Sequence, residues 1–119
     1  MTQKRKGFSR LINACRNSWN GLRAVFLSEA AFRQELVGCM LAAVILCFVG
    51  VSRSEYLLLV SMLLFIPVAE LINTAIENIV DRIGPEYHEL SGRAKDIGSA
   101  IVFVTIMAVA CVWAVVIFF

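Results

Sequence analysis

Glu70, Asn73, Thr74, Glu77 and Asp81 are the residues of this sequence best suited to chemistry, and they stand in and just beyond a mostly apolar stretch. Their spacing is helical. At about 100° per residue, with Glu70 at zero, Asn73 falls near −60°, Thr74 near +40°, Glu77 near −20° and Asp81 near +20°. All five therefore line one stripe. A carboxylate inside a membrane span costs about 2.5–3.5 kcal/mol, so a stripe with two of them must face protein or trapped water rather than lipid. Glu70 lies deepest, where burial among apolar side chains suits a general base. Its alternative is a structural hydrogen bond to a neighbouring helix. Glu77 ends the stretch, and Glu29 begins an earlier one at a similar depth. Two carboxylates at one depth, with waters, suit Mg2+ held on phosphates. For Glu29 the alternative is a first-turn residue that complements the helix dipole, with Ser28 as N-cap.

The rest of the chain must position these groups in a bilayer. It has 119 residues, of which 60% are hydrophobic and 17% charged, with mean hydropathy +0.80. That excludes an ordinary water-soluble domain, and it excludes disorder. Phe8, Leu11, Ile12, Cys15, Trp19, Leu22 and Phe26 form an apolar stripe opposite Arg10, Arg16 and Arg23, the pattern of a helix lying in the membrane interface. These arginines also break up any signal-peptide core. The expected organisation is a single all-α integral-membrane domain over 1–119. It has an interfacial amphipathic helix at 8–27, transmembrane helices at 30–51, 56–80 and 97–119, and a polar loop at 81–96. Pro67 should kink the second span. Counting Arg33 at the start of the first span, ten of the eleven Lys/Arg fall on one side in this arrangement and only Arg53 on the other, which puts the N-terminus and the 81–96 loop in the cytosol.

The polar stripe ends partway. Toward the outer side the same face carries Ile66, Leu63, Met62 and Leu59, so the pocket is closed at that end. A channel would continue its polar path across the bilayer, which argues against an ion-conducting subunit. Three spans enclose such a stripe poorly, so a homo-oligomer with sites at subunit contacts is expected. His88 is the lone histidine and Cys15, Cys39, Cys47 and Cys111 show no CxxC spacing, so neither a multi-His metal site, a zinc site nor a disulfide framework is expected. Walker A, GxGxxG, kinase HRD and GxSxG sequences are missing. Lys95 could reach a phosphate as a point charge, or could pair with Asp96 to anchor the third span.

The run Glu70-Leu-Ile-Asn-Thr-Ala-Ile-Glu77, then Val80-Asp-Arg-Ile-Gly and Glu86-Tyr-His-Glu-Leu-Ser-Gly-Arg-Ala-Lys-Asp96, resembles the small integral-membrane diacylglycerol kinases of Gram-negative bacteria. Gly7-Phe-Ser-Arg10, Ser18-Trp19, Gly21-Leu-Arg-Ala24 and Glu29-Ala-Ala-Phe-Arg-Gln-Glu35 extend the likeness over essentially the whole chain. The resemblance implies a homotrimeric bundle in the bacterial inner membrane. It implies transfer of the γ-phosphate of MgATP to the hydroxyl of diacylglycerol, giving phosphatidate. By the resemblance Glu70 is the general base, Glu29 and Glu77 hold Mg2+, and Asn73 supports that cluster. Arg10, Asn17, Glu86, Tyr87, His88, Lys95 and Asp96 surround ATP together with Glu29 and Glu77. Arg10, Ser18, Trp19, Arg23, Ala31, Gln34, Glu35, Glu70 and Ser99 belong to the lipid-facing cleft. Asn17 departs from an aromatic that family members can carry, and Pro67 departs one turn before the base. A kinase for undecaprenol is the neighbouring alternative. No nucleic-acid partner is expected.

Overall fold

The computed structural model describes residues 7–119. The expected basic tail lies mostly outside the described residues. Chain contacts divide the protein into two units, Met1–Ala30 and Ala31–Phe119. Every element among the described residues is a helix.

The first unit is built on α1, Phe8–Ser28, which follows Gly7 at φ 65°, a left-handed conformation that glycine tolerates. No residue of α1 is buried. Phe8, Leu11, Ile12, Trp19, Leu22, Phe26 and Leu27 all stay exposed. Ser28 is the last residue of α1, not the N-cap of the next helix. The apolar period simply runs on to Leu27, and the chain turns extended only at Glu29, with φ −110° and ψ 107°. The Glu29 N–H bonds to the Val25 carbonyl at 2.8 Å. Glu29 thus stands between two helices, half-buried, and not in a first turn.

The second unit holds four helices: α2 (Ala30–Leu46), α3 (Arg53–Leu63), α4 (Phe65–Ile83) and α5 (Glu89–Phe118). α2 winds down through i→i+3 bonds from Cys47, Phe48 and Val49 to Val44, Ile45 and Leu46, and Gly50 reverses at φ +81°. Ser52 and Glu55, read as a plain polar turn, form a reciprocal capping box. Ser52 Oγ accepts from the Glu55 N–H at 3.2 Å, and Glu55 Oε2 accepts from the Ser52 N–H at 2.9 Å. Ser52→Ala is expected to cost about 1 kcal/mol. Equilibrium unfolding in detergent–SDS mixtures measures it, and an unchanged midpoint would refute it.

The expected second span divides at Leu64, three residues before Pro67. Proline has no N–H to offer the Leu63 carbonyl four residues upstream, so the ladder loosens there. The Leu64 N–H bonds to Ser61 at 3.2 Å instead, a tightened turn, while Leu64 stays in the right-handed region at φ −63° and ψ −25°. The Cys39 thiol of α2 donates to the vacated Leu63 carbonyl at 3.7 Å. Tyr56 Oη donates to the Ala43 carbonyl at 3.3 Å, and Trp113 Nε1 to the Leu59 carbonyl at 3.1 Å, tying α2 and α5 to α3.

The expected 81–96 loop is short. α4 runs on to Ile83, and α5 begins at Glu89 after His88 caps it, with Nδ1 accepting from the Leu90 N–H at 3.1 Å. A rise in polarity marks where contact with lipid should end. It does not end a helix made of good helix formers such as Glu, Leu, Arg, Ala and Lys. Two helical stretches, Arg53–Ile83 and Glu89–Phe118, are long and apolar enough to cross a membrane. Only 6% of the apolar window of α5 is buried, so most of its surface faces outside the chain. α2, at 17 residues, is shorter.

Candidate active site

α4 turns its polar stripe inward. Thr74 is 2% exposed, Glu70 7% and Asn73 9%, beside the buried apolar residues Ala69 and Val80. The main partner of α4 is α5. Upstream the face continues in Leu63 and Leu59, both buried, so polar lining stops on that side. The 3.6-residue period that lined these groups up is what delivers them to one interface.

Within the stripe, Asn73 Nδ2 donates to Glu77 Oε1 at 3.5 Å. Asn73 Oδ1 and Thr74 Oγ1 are buried with no hydrogen-bond partner. From α2, the Glu35 carboxyl lies beside that of Glu70. Glu35 Oε2 is also buried and without a partner. Buried polar atoms without a partner are costly.

At the other end of the stripe an open cavity of about 300 Å3 is lined by Asp81, Glu86, Tyr87, His88 and Lys95 among others. Lys95 Nζ meets Asp81 Oδ1 at 2.7 Å, not the adjacent Asp96. His88 serves as the α5 cap, Glu86 and Tyr87 are exposed, and Asp96 is exposed.

The other expected site residues are distributed as follows. Ala31 and Gln34 are exposed on α2, and Ser99 is exposed on α5. In the first unit Arg10, Asn17, Ser18, Trp19 and Arg23 are exposed on α1, with Arg10 and Asn17 about 20° apart around it. Ser18 Oγ already donates to the Ala14 carbonyl at 2.9 Å.

Among the described residues no group of three or more His, Cys, Asp or Glu could hold a metal ion. Mg2+ that arrives on nucleotide phosphates keeps several waters and needs only one or two carboxylates. The half-exposed Glu77 carboxylate, oriented by Asn73, meets that smaller demand. Sequence reading missed three features here: the Glu35–Glu70 contact, the Asp81–Lys95 pair and the close approach of Gly98 to Asn73. Each depends on which helix lies opposite.

Long apolar helices with uncovered surface, and a buried carboxylate–amide stripe between them, are the features of a helical membrane enzyme. The chain belongs to the prokaryotic diacylglycerol kinase family, whose model matches residues 16–117. It is 49% identical over 115 residues to the diacylglycerol kinase of Escherichia coli K12, covering 97% of this chain and 94% of that protein. It is 44% identical over 119 residues to the diacylglycerol kinase of Haemophilus influenzae, covering 98% of each. Against the diacylglycerol kinase of Pseudomonas aeruginosa it is 40% identical over 108 residues, covering 91% and 88%.

Proposed function

We propose that this protein is a diacylglycerol kinase of a bacterial inner membrane, working as a homotrimer on MgATP. The observation that carries the reading is the near-complete coverage by relatives named for this activity, together with a buried Glu70 on the interior face of α4. The reaction breaks the β–γ phosphoanhydride bond and forms a phosphate ester on the lipid hydroxyl. The proton of that hydroxyl goes to Glu70, and ADP leaves. Little covalent work falls to the protein in such a transfer, so positioning and charge neutralisation dominate.

Glu77, held by Asn73, and Glu29 would hold Mg2+, which would neutralise charge on the phosphates. Lys95 and Asp96 attend the nucleotide with Arg10, Asn17 and the Glu86–His88 turn. Ser18, Trp19, Arg23, Ala31, Gln34, Glu35 and Ser99 receive the lipid. The excess of Lys/Arg on one side supports a cytosolic N-terminus with three spans, which opens the nucleotide cavity to the compartment that contains ATP.

Transfer of labelled phosphate from ATP to diacylglycerol in mixed micelles tests the reading, with undecaprenol as competing acceptor. Preferential labelling of diacylglycerol supports it, and faster labelling of undecaprenol overturns it. Asp81→Asn removes the partner that holds Lys95 in place. Its expected effect is a rise of about two- to fivefold in KM for MgATP with kcat nearly kept, the scale of an exposed ion pair. A change confined to kcat would contradict the assignment.

A further inference from the structure

We propose that Gly98 of α5 is a positioning residue for phosphate transfer: its missing side chain is what lets the Asn73 amide hold Glu77. The inference rests on the kinase reading above and adds a residue to it.

Gly98 is buried on α5, in the interface with α4. A Cβ built there would overlap Asn73 Oδ1 and would stand 3.5 Å from both Asn73 Cγ and Ile76 Cδ1. None of the other six glycines has a neighbour of this kind. Gly7, Gly21, Gly38, Gly50 and Gly84 have nothing within 4 Å, and for Gly92 the nearest atom lies at 4.0 Å. The overlap falls on the amide end of Asn73, so the amide is what must move.

The direction of that amide is not arbitrary. The Glu77 carboxylate can only accept, so Asn73 must present Nδ2 to it and Oδ1 to Gly98. Oδ1 is buried and without a partner, so the contact with Gly98 is steric and no hydrogen bond compensates for its closeness. Any side chain at 98 turns Asn73 and releases Glu77 from its set direction. Gly98 is a poor choice for helix stability, since alanine is the better helix former in a helix interior. A residue that serves close helix packing alone would lose stability in Gly98→Ala, because the added methyl overlaps Asn73. A residue that serves Glu77 would lose activity while the fold held.

The test compares the full-length protein, Gly98→Ala, Gly98→Ser, Asn73→Ala and the Gly98→Ala/Asn73→Ala double variant in mixed micelles. Labelled transfer to diacylglycerol is titrated with MgATP and with free Mg2+, and thermal unfolding is followed by circular dichroism. The expected result is a loss of about ten- to hundredfold in kcat/KM for Gly98→Ala, the scale of a small misplacement, with more Mg2+ needed for half-maximal rate. The unfolding midpoint should not fall. In the Asn73→Ala background the same change at 98 should cost less than about twofold, because the atom it meets is gone.

Full activity in Gly98→Ala overturns the inference while leaving the kinase reading intact. So does an equal loss with and without Asn73, or failure of both single variants at 98 to fold. Absence of transfer by the wild-type protein overturns the kinase reading and this inference with it.

Discussion

Glu70→Gln is expected to lower kcat by about 10²–10⁴-fold, the range for loss of a general base, with KM for MgATP little changed. The amide keeps the size of the side chain, so the packing of a residue only 7% exposed is preserved. What the amide cannot do is take the proton of the lipid hydroxyl. Because the lost interaction belongs to the transition state, kcat and kcat/KM for the lipid should fall together. Steady-state rates with diacylglycerol in mixed micelles measure this. A variant with a rate within a factor of a few of wild type would remove Glu70 from the chemistry and return it to the structural alternative. The same variant should unfold near the wild-type midpoint, which separates lost chemistry from a lost fold.

Glu77→Gln should behave differently. Its carboxylate is half-exposed at the end of the stripe and accepts a 3.5 Å hydrogen bond from Asn73. Neutralising it removes a charged oxygen ligand, with an expected loss of about ten- to hundredfold at ordinary Mg2+. Part of the loss should return as Mg2+ is raised, because mass action can replace some of the missing affinity. Glu70→Gln should show no such recovery. A full rate for Glu77→Gln at unchanged Mg2+ would show that the metal assignment is wrong. Equal insensitivity of both variants to Mg2+ would assign Glu77 a role other than metal binding.

The helical spacing of Glu70, Asn73, Thr74 and Glu77 made the stripe legible from sequence, since a period of 3.6 fixes which residues share a face. The apolar continuation through Leu63 and Leu59 was legible for the same reason, and both are buried. Helix limits were less so. Residues 81–83 and 89–96 are polar and were read as loop, yet they are helical, because composition reports the solvent a segment prefers and not its backbone state. Pro67 announced a disturbance, but the break falls upstream at Leu64, next to the Leu63 carbonyl that proline cannot serve. Ser28 looked like a cap by type, while the extended residue is Glu29.

By itself the sequence determined that the protein is helical and strongly apolar, that its carboxylates share one face, and that its motifs place it in one enzyme family. These follow from composition, from local periodicity and from residue types along a single strand of chain. Only the tertiary structure decided the pairings: Glu35 with Glu70, Lys95 with Asp81, Cys39 with the carbonyl vacated by Pro67, and Gly98 against Asn73. The physical reason is that periodicity describes one helix at a time. A pairing depends on the register between two helices, and register is set by side-chain packing across an interface that no single stretch of sequence contains.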